Sequence, residues 1–100
     1  MTKLTNNQKK FLRSKSHNLK PIVMVGQHGL NESVLVELEI TMDKHELLKI
    51  KIRMDKRAEK QKIIDKIINT YHAYLVQVIG NIVVIYRAFD EDPQIILPRK

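Results

Sequence analysis

The stretch Leu48-Lys49-Ile50-Lys51-Ile52-Arg53-Met54 alternates strictly between apolar and basic residues. Successive side chains of a β-strand point to opposite faces, so this period of two predicts a strand with one buried face and one basic face. The rest of the chain must supply neighbouring strands and a layer of helices that covers the apolar face.

The segment before this strand predicts two helices separated by a short strand. Thr5-Asn6-Asn7-Gln8 has the form of a capping box, which predicts a first helix from about Thr5 to Ser16. Pro21 precedes the apolar run 22–25, which is typical of a buried strand that starts at a proline. Asn31 is the expected N-cap of a second helix. Its predicted apolar stripe is Val34, Leu35, Leu38 and Met42, and its other face carries Glu32, Glu37, Glu39 and Asp43.

The segment after the basic strand predicts a third helix and a β-hairpin. Asp55 can cap a helix over about residues 56–70. The apolar side of this helix gathers Ile63, Ile64, Ile67, Ile68 and Tyr71. Residues 74–79 and 82–86 are rich in β-branched and aromatic residues, and Gly80-Asn81 between them is a two-residue hairpin signal. The last two strands are therefore expected to be antiparallel neighbours.

The predicted order is helix, strand, helix, strand, helix, strand, strand. A right-handed crossover through the second helix would make the first two strands parallel, so the sheet should be mixed. These elements predict an α/β (α+β) two-layer sandwich with a four-stranded sheet. A chain of 100 residues suits one domain, residues 1–100.

Composition and charge restrict the possible classes of function. The chain has no cysteine, which excludes disulfides, thiolate zinc sites and cysteine nucleophiles. No apolar run approaches the roughly 20 residues that span a bilayer, so no membrane association is expected. The first 20 residues are basic without acids, like a transit peptide, but they contain one arginine and run into a strand, which favours a cytoplasmic protein. The net charge of +7 attracts polyanions.

Two of the three glycines bracket the connection Gly26-Gln27-His28-Gly29 between a strand and a helix. Glycine permits positive φ and close approach of a ligand, and a helix N-terminus attracts anions, so the loop suits a nucleic-acid backbone. It is not a nucleotide-binding P-loop or a dinucleotide fingerprint, because the lysine and the third glycine are absent. Taken alone, this feature is explained more readily by a tight turn that binds no ligand.

The segregation of charge favours nucleic-acid binding over a uniform solubility coat. The acids concentrate on the second helix, whereas the first helix, the second strand and the third helix hold most of the lysines. If their outer faces adjoin the glycine loop, they form one cationic surface. The predicted RNA-contacting residues are Lys9, Lys10, Arg13, Lys20, Lys49, Lys51 and Arg53, together with Gly26, Gln27, His28 and Gly29.

No catalytic, cofactor or metal site is predicted. The four histidines lie on separate segments without metal-ligand spacing, and the acids at 90–92 before Pro93 are typical of a solvated turn. His28 either stacks on a base, donates to a phosphate or remains solvated. Because only five residues are aromatic, recognition should depend on phosphates, 2′-hydroxyls and shape.

Four stretches together resemble the YhbY family. They are LKPIVMVGQHGL at residues 19–30, HELLKI at 45–50, VQVIG at 76–80 and LPRK at 97–100. YhbY proteins are the bacterial stand-alone form of the CRM domain, which plant organelles use in group II intron splicing factors. The resemblance implies a fold similar to the C-terminal domain of translation initiation factor 3.

The same resemblance implies RNA binding and association with ribosomal RNA in precursors of the large ribosomal subunit. A cytoplasmic monomer without a cofactor is expected. The middle of the loop is often basic in the family, whereas Gln27 and His28 occupy it here. The charge would then come from Lys20, Lys49, Lys51 and Arg53.

Two other classes of function stay open. One is a protein-interaction module that docks through the acidic second helix or the basic tail, with only non-specific affinity for RNA. The other is an enzyme acting on RNA, which would need convergent titratable groups or a metal site. The sequence offers no convincing candidate for either convergent titratable groups or a metal site, so a non-enzymatic protein is expected.

Overall fold

A computed structural model describes residues 3–100, so Met1 and Thr2 of the predicted domain lie outside the described residues. The seven elements follow the predicted order. They are α1 (Asn6–Ser16), β1 (Pro21–Val25), α2 (Glu32–Lys44), β2 (Leu47–Ile52), α3 (Arg57–Tyr71), β3 (Tyr74–Ile79) and β4 (Ile82–Tyr86).

The four strands form one mixed sheet in the order β1-β2-β4-β3. β1 pairs parallel with β2, and β4 pairs antiparallel with both β2 and β3. The prediction of a parallel first pair and an antiparallel hairpin is therefore confirmed. The alternating strand β2 lies in the interior of the sheet.

Local capping signals account for two of the three helix starts. The Gln8 N–H donates to the Thr5 hydroxyl over 3.1 Å and the Thr5 N–H donates to the Gln8 side chain over 3.0 Å, which confirms the capping box. The Asn31 side chain accepts from the Val34 N–H over 3.0 Å and caps α2 as predicted. The prediction that Asp55 caps α3 is wrong. Lys56 occupies that position with an extended backbone, and it has no side-chain acceptor to offer.

The helices α2 and α3 cover one face of the sheet and form the main core with it. Leu48, Ile50 and Ile52 of β2 are completely buried there, which confirms the predicted apolar face. The helices contribute Leu38, Met42, Ile64 and Ile67, and the neighbouring strands contribute Val23, Val25, Val83 and Ile85. These two helices and the sheet form the predicted two-layer arrangement.

The helix α1 lies on the opposite side of the sheet and adds a partial third layer. We call this side the α1 face. Its smaller core consists of Leu4, Leu12, Leu47, Val76, Val84 and Tyr86, with Ile95 and Leu97 of the C-terminal segment packed against it. In β4 the residues Val83 and Ile85 face the main core and Val84 and Tyr86 face α1, as strand alternation requires.

The buried carboxylate of Glu46 fastens the C-terminal segment to the start of β2. Its two oxygens accept the backbone N–H groups of Phe89 (2.9 Å), Gln94 (2.8 Å) and Ile95 (2.7 Å). Its backbone carbonyl accepts a further bond from the Arg87 N–H over 2.8 Å. Burial raises the pKa of the nearby Tyr86, and Glu46 and Tyr74 raise that pKa further. The described residues after Tyr86 form no β-strand, and the hydrogen bonds to the Glu46 carboxylate hold them against the sheet instead.

We expect Glu46→Ala to lower the free energy of unfolding by about 3 kcal/mol, because three backbone donors would lose a buried acceptor. Urea denaturation measures the change. The control is Glu91→Ala, which removes an exposed carboxylate from the same segment and should shift the free energy by less than about 0.5 kcal/mol. Equal unfolding midpoints for the two variants would contradict the role assigned to Glu46.

Candidate nucleic-acid interface

The connection Gly26–Gly29 between β1 and α2 is a closed turn. The Gly29 N–H donates to the Gly26 carbonyl over 3.0 Å, and the Asn31 N–H donates to the Gly29 carbonyl over 3.0 Å. Gly29 has a φ of +67°, in the left-handed region that glycine favours. The turn therefore leads directly into the capped N-terminus of α2.

The turn leaves open space and free donors beside Gly26. A Cβ added at Gly26 would meet no atom within 4 Å. Gln27 and His28 are exposed, and within residues 3–100 their backbone N–H groups have no acceptor. Such donors, next to the positive end of a helix dipole, can bind an anionic oxygen. Glu32 in the first turn of α2 opposes this effect.

A groove of about 470 Å³ joins the glycine loop to the ends of β2 and of the β3–β4 hairpin. We call it the loop groove. It is lined by Met24, Gly26, Gln27, Arg53, Met54, Asp55 and Asn81. The Arg53 N–H donates to the Val25 carbonyl over 2.8 Å, and the Ile52 N–H donates to the Asn81 carbonyl over 2.7 Å. The pairing of β1 with β2 therefore brings together the loop and Arg53, which were predicted separately.

The lysines of β2 lie on the α1 face, as the alternation predicted. Lys49 and Lys51 are half-buried, and Lys51 pairs across the sheet with Met24 on one side and Ile82 on the other. Lys51 is thus the lysine of β2 nearer to the loop groove. The exposed Lys20 precedes β1 and lies about 20 Å from Gly26 along the extended strand, so it belongs to the other end of β1.

The basic residues of α1 lie on the side of the sheet that carries Lys49 and Lys51. Lys10 and Arg13 are exposed, whereas Lys9 is half-buried beside Tyr74 and Leu75 at the start of β3. The start of β3 and the glycine loop are at opposite ends of the strands. Lys51 and Arg53 therefore lie near the glycine loop, whereas α1 and Lys20 lie at the other end of the strands.

The sequence interpretation did not assign a functional role to Lys60, Arg57 or Asn81. The Lys60 ammonium group donates to the Gly80 carbonyl over 2.7 Å, and Arg57 and Lys60 line a groove beside the hairpin turn. Asn81 lines the loop groove. The Gly80-Asn81 signal predicted the turn, but only the pairing of β4 with β2 places it beside the glycine loop.

The acidic residues are arranged differently from the basic ones. Glu32, Glu37, Glu39 and Asp43 are exposed on α2, which packs on the face of the sheet opposite α1. Asp55 is the one acidic residue that lines the loop groove.

Among residues 3–100, no group of three or more acidic or histidine side chains is arranged to hold a metal ion. The same part of the chain contains no helix long and apolar enough to cross a membrane.

Comparisons with known proteins agree on one family. A model of the CRS1 / YhbY (CRM) domain matches residues 4–87. A Haemophilus influenzae protein named "RNA-binding protein" is 46% identical over 100 residues, the full length of both chains. "Probable RNA-binding protein YqeI" of Bacillus subtilis is 36% identical over 95 residues, which are 95% of this chain and 99% of that protein.

A solved structure confirms the architecture. The solution structure of the hypothetical protein SAV1595 from Staphylococcus aureus matches with a TM-score of 0.81 and 36% sequence identity. The match covers 95% of this chain and 99% of that one. The mixed sheet with three helices is therefore shared with an experimentally determined protein.

The two glycines of the turn should respond differently to alanine. Gly29→Ala forces a side chain into the left-handed region and should lower the free energy of unfolding by about 1 kcal/mol. Gly26→Ala meets open space without a positive φ, so it should change this free energy by less than about 0.5 kcal/mol. Urea denaturation of both variants measures the difference, and a larger loss for Gly26→Ala would contradict the turn geometry.

Proposed function

Because the chain belongs to the CRS1 / YhbY (CRM) domain family, we propose that it is an RNA-binding protein without catalytic activity. More narrowly, it associates with ribosomal RNA in precursors of the large ribosomal subunit and acts there as an assembly factor in the cytoplasm. Residues 1–100 act as a single RNA-binding domain. The end-to-end match with the Haemophilus influenzae protein supports this last point.

The single observation that carries the proposal is the loop groove. It combines a glycine turn that a phosphodiester can approach, the backbone donor of Gln27 and the arginine Arg53. Each of these groups stabilises a phosphate oxygen, and the arginine adds the charge that the middle of the loop lacks. Lys51 and Lys49 continue the positive charge along β2, so an RNA strand can leave the groove across the α1 face.

This arrangement predicts a binding mode dominated by phosphate contacts. With about 4 to 6 phosphates neutralised, the affinity should fall about 100-fold between 50 and 200 mM salt through counterion release. Contacts of this kind position an RNA and recognise its shape, but they carry little sequence information. A factor that recognises a folded ribosomal RNA precursor can use such a mode. The assignment to the large subunit rests on the resemblance to the YhbY family.

One observation favours a second candidate function, docking of a protein on α2. Val36 and Ile40 are 51% and 53% exposed and lie one helical turn apart. Glu32, Glu39 and Asp43 flank them on the outer side of the helix. A basic protein segment with apolar residues would complement this surface, while the basic side of the molecule would serve solubility.

Crosslinking to RNA in growing cells tests the proposal. Gly26→Asp places a carboxylate at the groove without steric conflict, so it should reduce crosslinks to precursor large-subunit RNA by about tenfold through repulsion of phosphate. Gly26→Asn is the matched control, since it adds the same volume without charge and should lose fewer crosslinks than Gly26→Asp.

The unfolding midpoints of both variants must equal that of the unaltered protein. Crosslinks spread over all cellular RNA would contradict the ribosomal assignment. Crosslinking by the Asp variant at the level of the unaltered protein would contradict the role of the loop.

A further inference from the structure

One row of side chains crosses all four strands on the α1 face and is not covered by α1. Met24 pairs with Lys51, Lys51 with Ile82, and Ile82 with Ile79. We call these four residues the open row. Met24 is 53% exposed and Ile79 is 59% exposed, whereas Val84, the next residue of β4 on this face, is only 1% exposed. The covering by α1 therefore ends before this row.

The open row adjoins the loop groove. Met24 belongs to both, and it lies two residues before Gly26. Asn81, in the hairpin turn between Ile79 and Ile82, also lines the groove. Three strand spacings make the row about 14 Å wide. The groove and the row thus form one continuous surface, polar and cationic at the loop and apolar along the sheet.

We propose that the open row holds unpaired nucleobases, so that the protein binds single-stranded RNA segments in preference to duplex. This inference rests on the proposed function and names its substrate class. Exposed methionine and isoleucine side chains gain by covering the flat face of a base, and a methionine sulfur also interacts favourably with aromatic rings. Lys51, between the two apolar residues Met24 and Ile82, neutralises the phosphate that connects neighbouring bases.

Charge complementarity favours unpaired RNA over an apolar protein segment as the ligand of the open row. Lys51 lies within the row and Arg53 lies in the adjoining groove, whose lining contains one acidic residue, Asp55. A duplex keeps its bases stacked inside and offers phosphates and 2′-hydroxyls. A duplex can therefore bind the cationic side chains, but its bases cannot cover Met24 or Ile79. The row therefore discriminates unpaired from paired RNA, which the phosphate contacts alone do not.

Fluorescence anisotropy with two labelled RNAs tests the inference. One RNA is an unstructured strand of 12 nucleotides, and the other is a hairpin duplex of equal length. The altered protein carries Met24→Thr and Ile79→Thr, which keep strand-compatible side chains and remove exposed apolar surface. The matched control carries Val36→Thr and Ile40→Thr, at positions of similar exposure on the outer side of α2. Urea denaturation establishes that both proteins are folded.

The unaltered protein should bind the single strand more tightly than the duplex. The Met24/Ile79 variant should lose about tenfold in affinity for the single strand through loss of two apolar contacts, with no change for the duplex. The Val36/Ile40 control should retain both affinities.

Four outcomes would overturn the inference. Equal losses on both RNAs, or no loss on the single strand, would contradict the role of the open row while leaving RNA binding intact. Absence of binding by the unaltered protein to either RNA would contradict the proposed function as well. A dimer in sedimentation that Met24→Thr and Ile79→Thr dissociate would assign the row to a second copy of the chain.

Discussion

The alternation of apolar and basic side chains along β2 fixes how this strand pairs with its neighbours and which of its faces enters the core. β2 lies between β1 and β4, and its residues Leu48, Ile50 and Ile52 are fully buried against α2 and α3. A slip of one residue would turn Lys49 and Lys51 into the main core, so the register with both neighbours is strongly specified. That register places Arg53 beside Val25 and Ile52 beside Asn81. The candidate site is thus a consequence of the pairing that builds the core.

The two sides of the sheet are covered to different extents. The main core fills the side covered by α2 and α3, whereas α1 and the C-terminal segment cover only part of the α1 face. The Glu46 carboxylate holds that segment through three backbone hydrogen bonds at the end of β2 away from the glycine loop. The end near the loop stays open, with cations, free N–H groups and apolar side chains adjacent to one another. This division leaves part of the α1 face exposed beside the glycine loop.

Local signals in the sequence predicted the elements well. The capping box at Thr5, the cap at Asn31 and the Gly80-Asn81 turn each depend on residues a few positions apart, and the structure confirms all three. The predicted cap of α3 was misplaced by one residue, because the N-cap position with its extended backbone is occupied by Lys56, whose side chain forms no capping hydrogen bond. The likeness to translation initiation factor 3 stays a prediction.

The composition of the site could be predicted only in part. The glycine turn and the basic face of β2 are visible in the sequence as separate patterns. Their juxtaposition depends on the parallel pairing of β1 with β2, and the contributions of Asn81 and Lys60 depend on the position of the hairpin. Such long-range contacts leave no local periodicity. For the same reason, the separation of the α1 lysines from the glycine loop was not apparent before the structure.

Titration of the isotope-labelled protein with an unstructured RNA, followed by backbone amide NMR, would show which residues contact RNA. If the loop groove and the open row bind RNA, the largest shifts should occur at residues 26–29, Lys51, Arg53 and Asn81, and the amides of residues 36–43 on α2 should stay unchanged. Shifts concentrated on residues 36–43, with the glycine loop unaffected, would contradict binding at the loop groove.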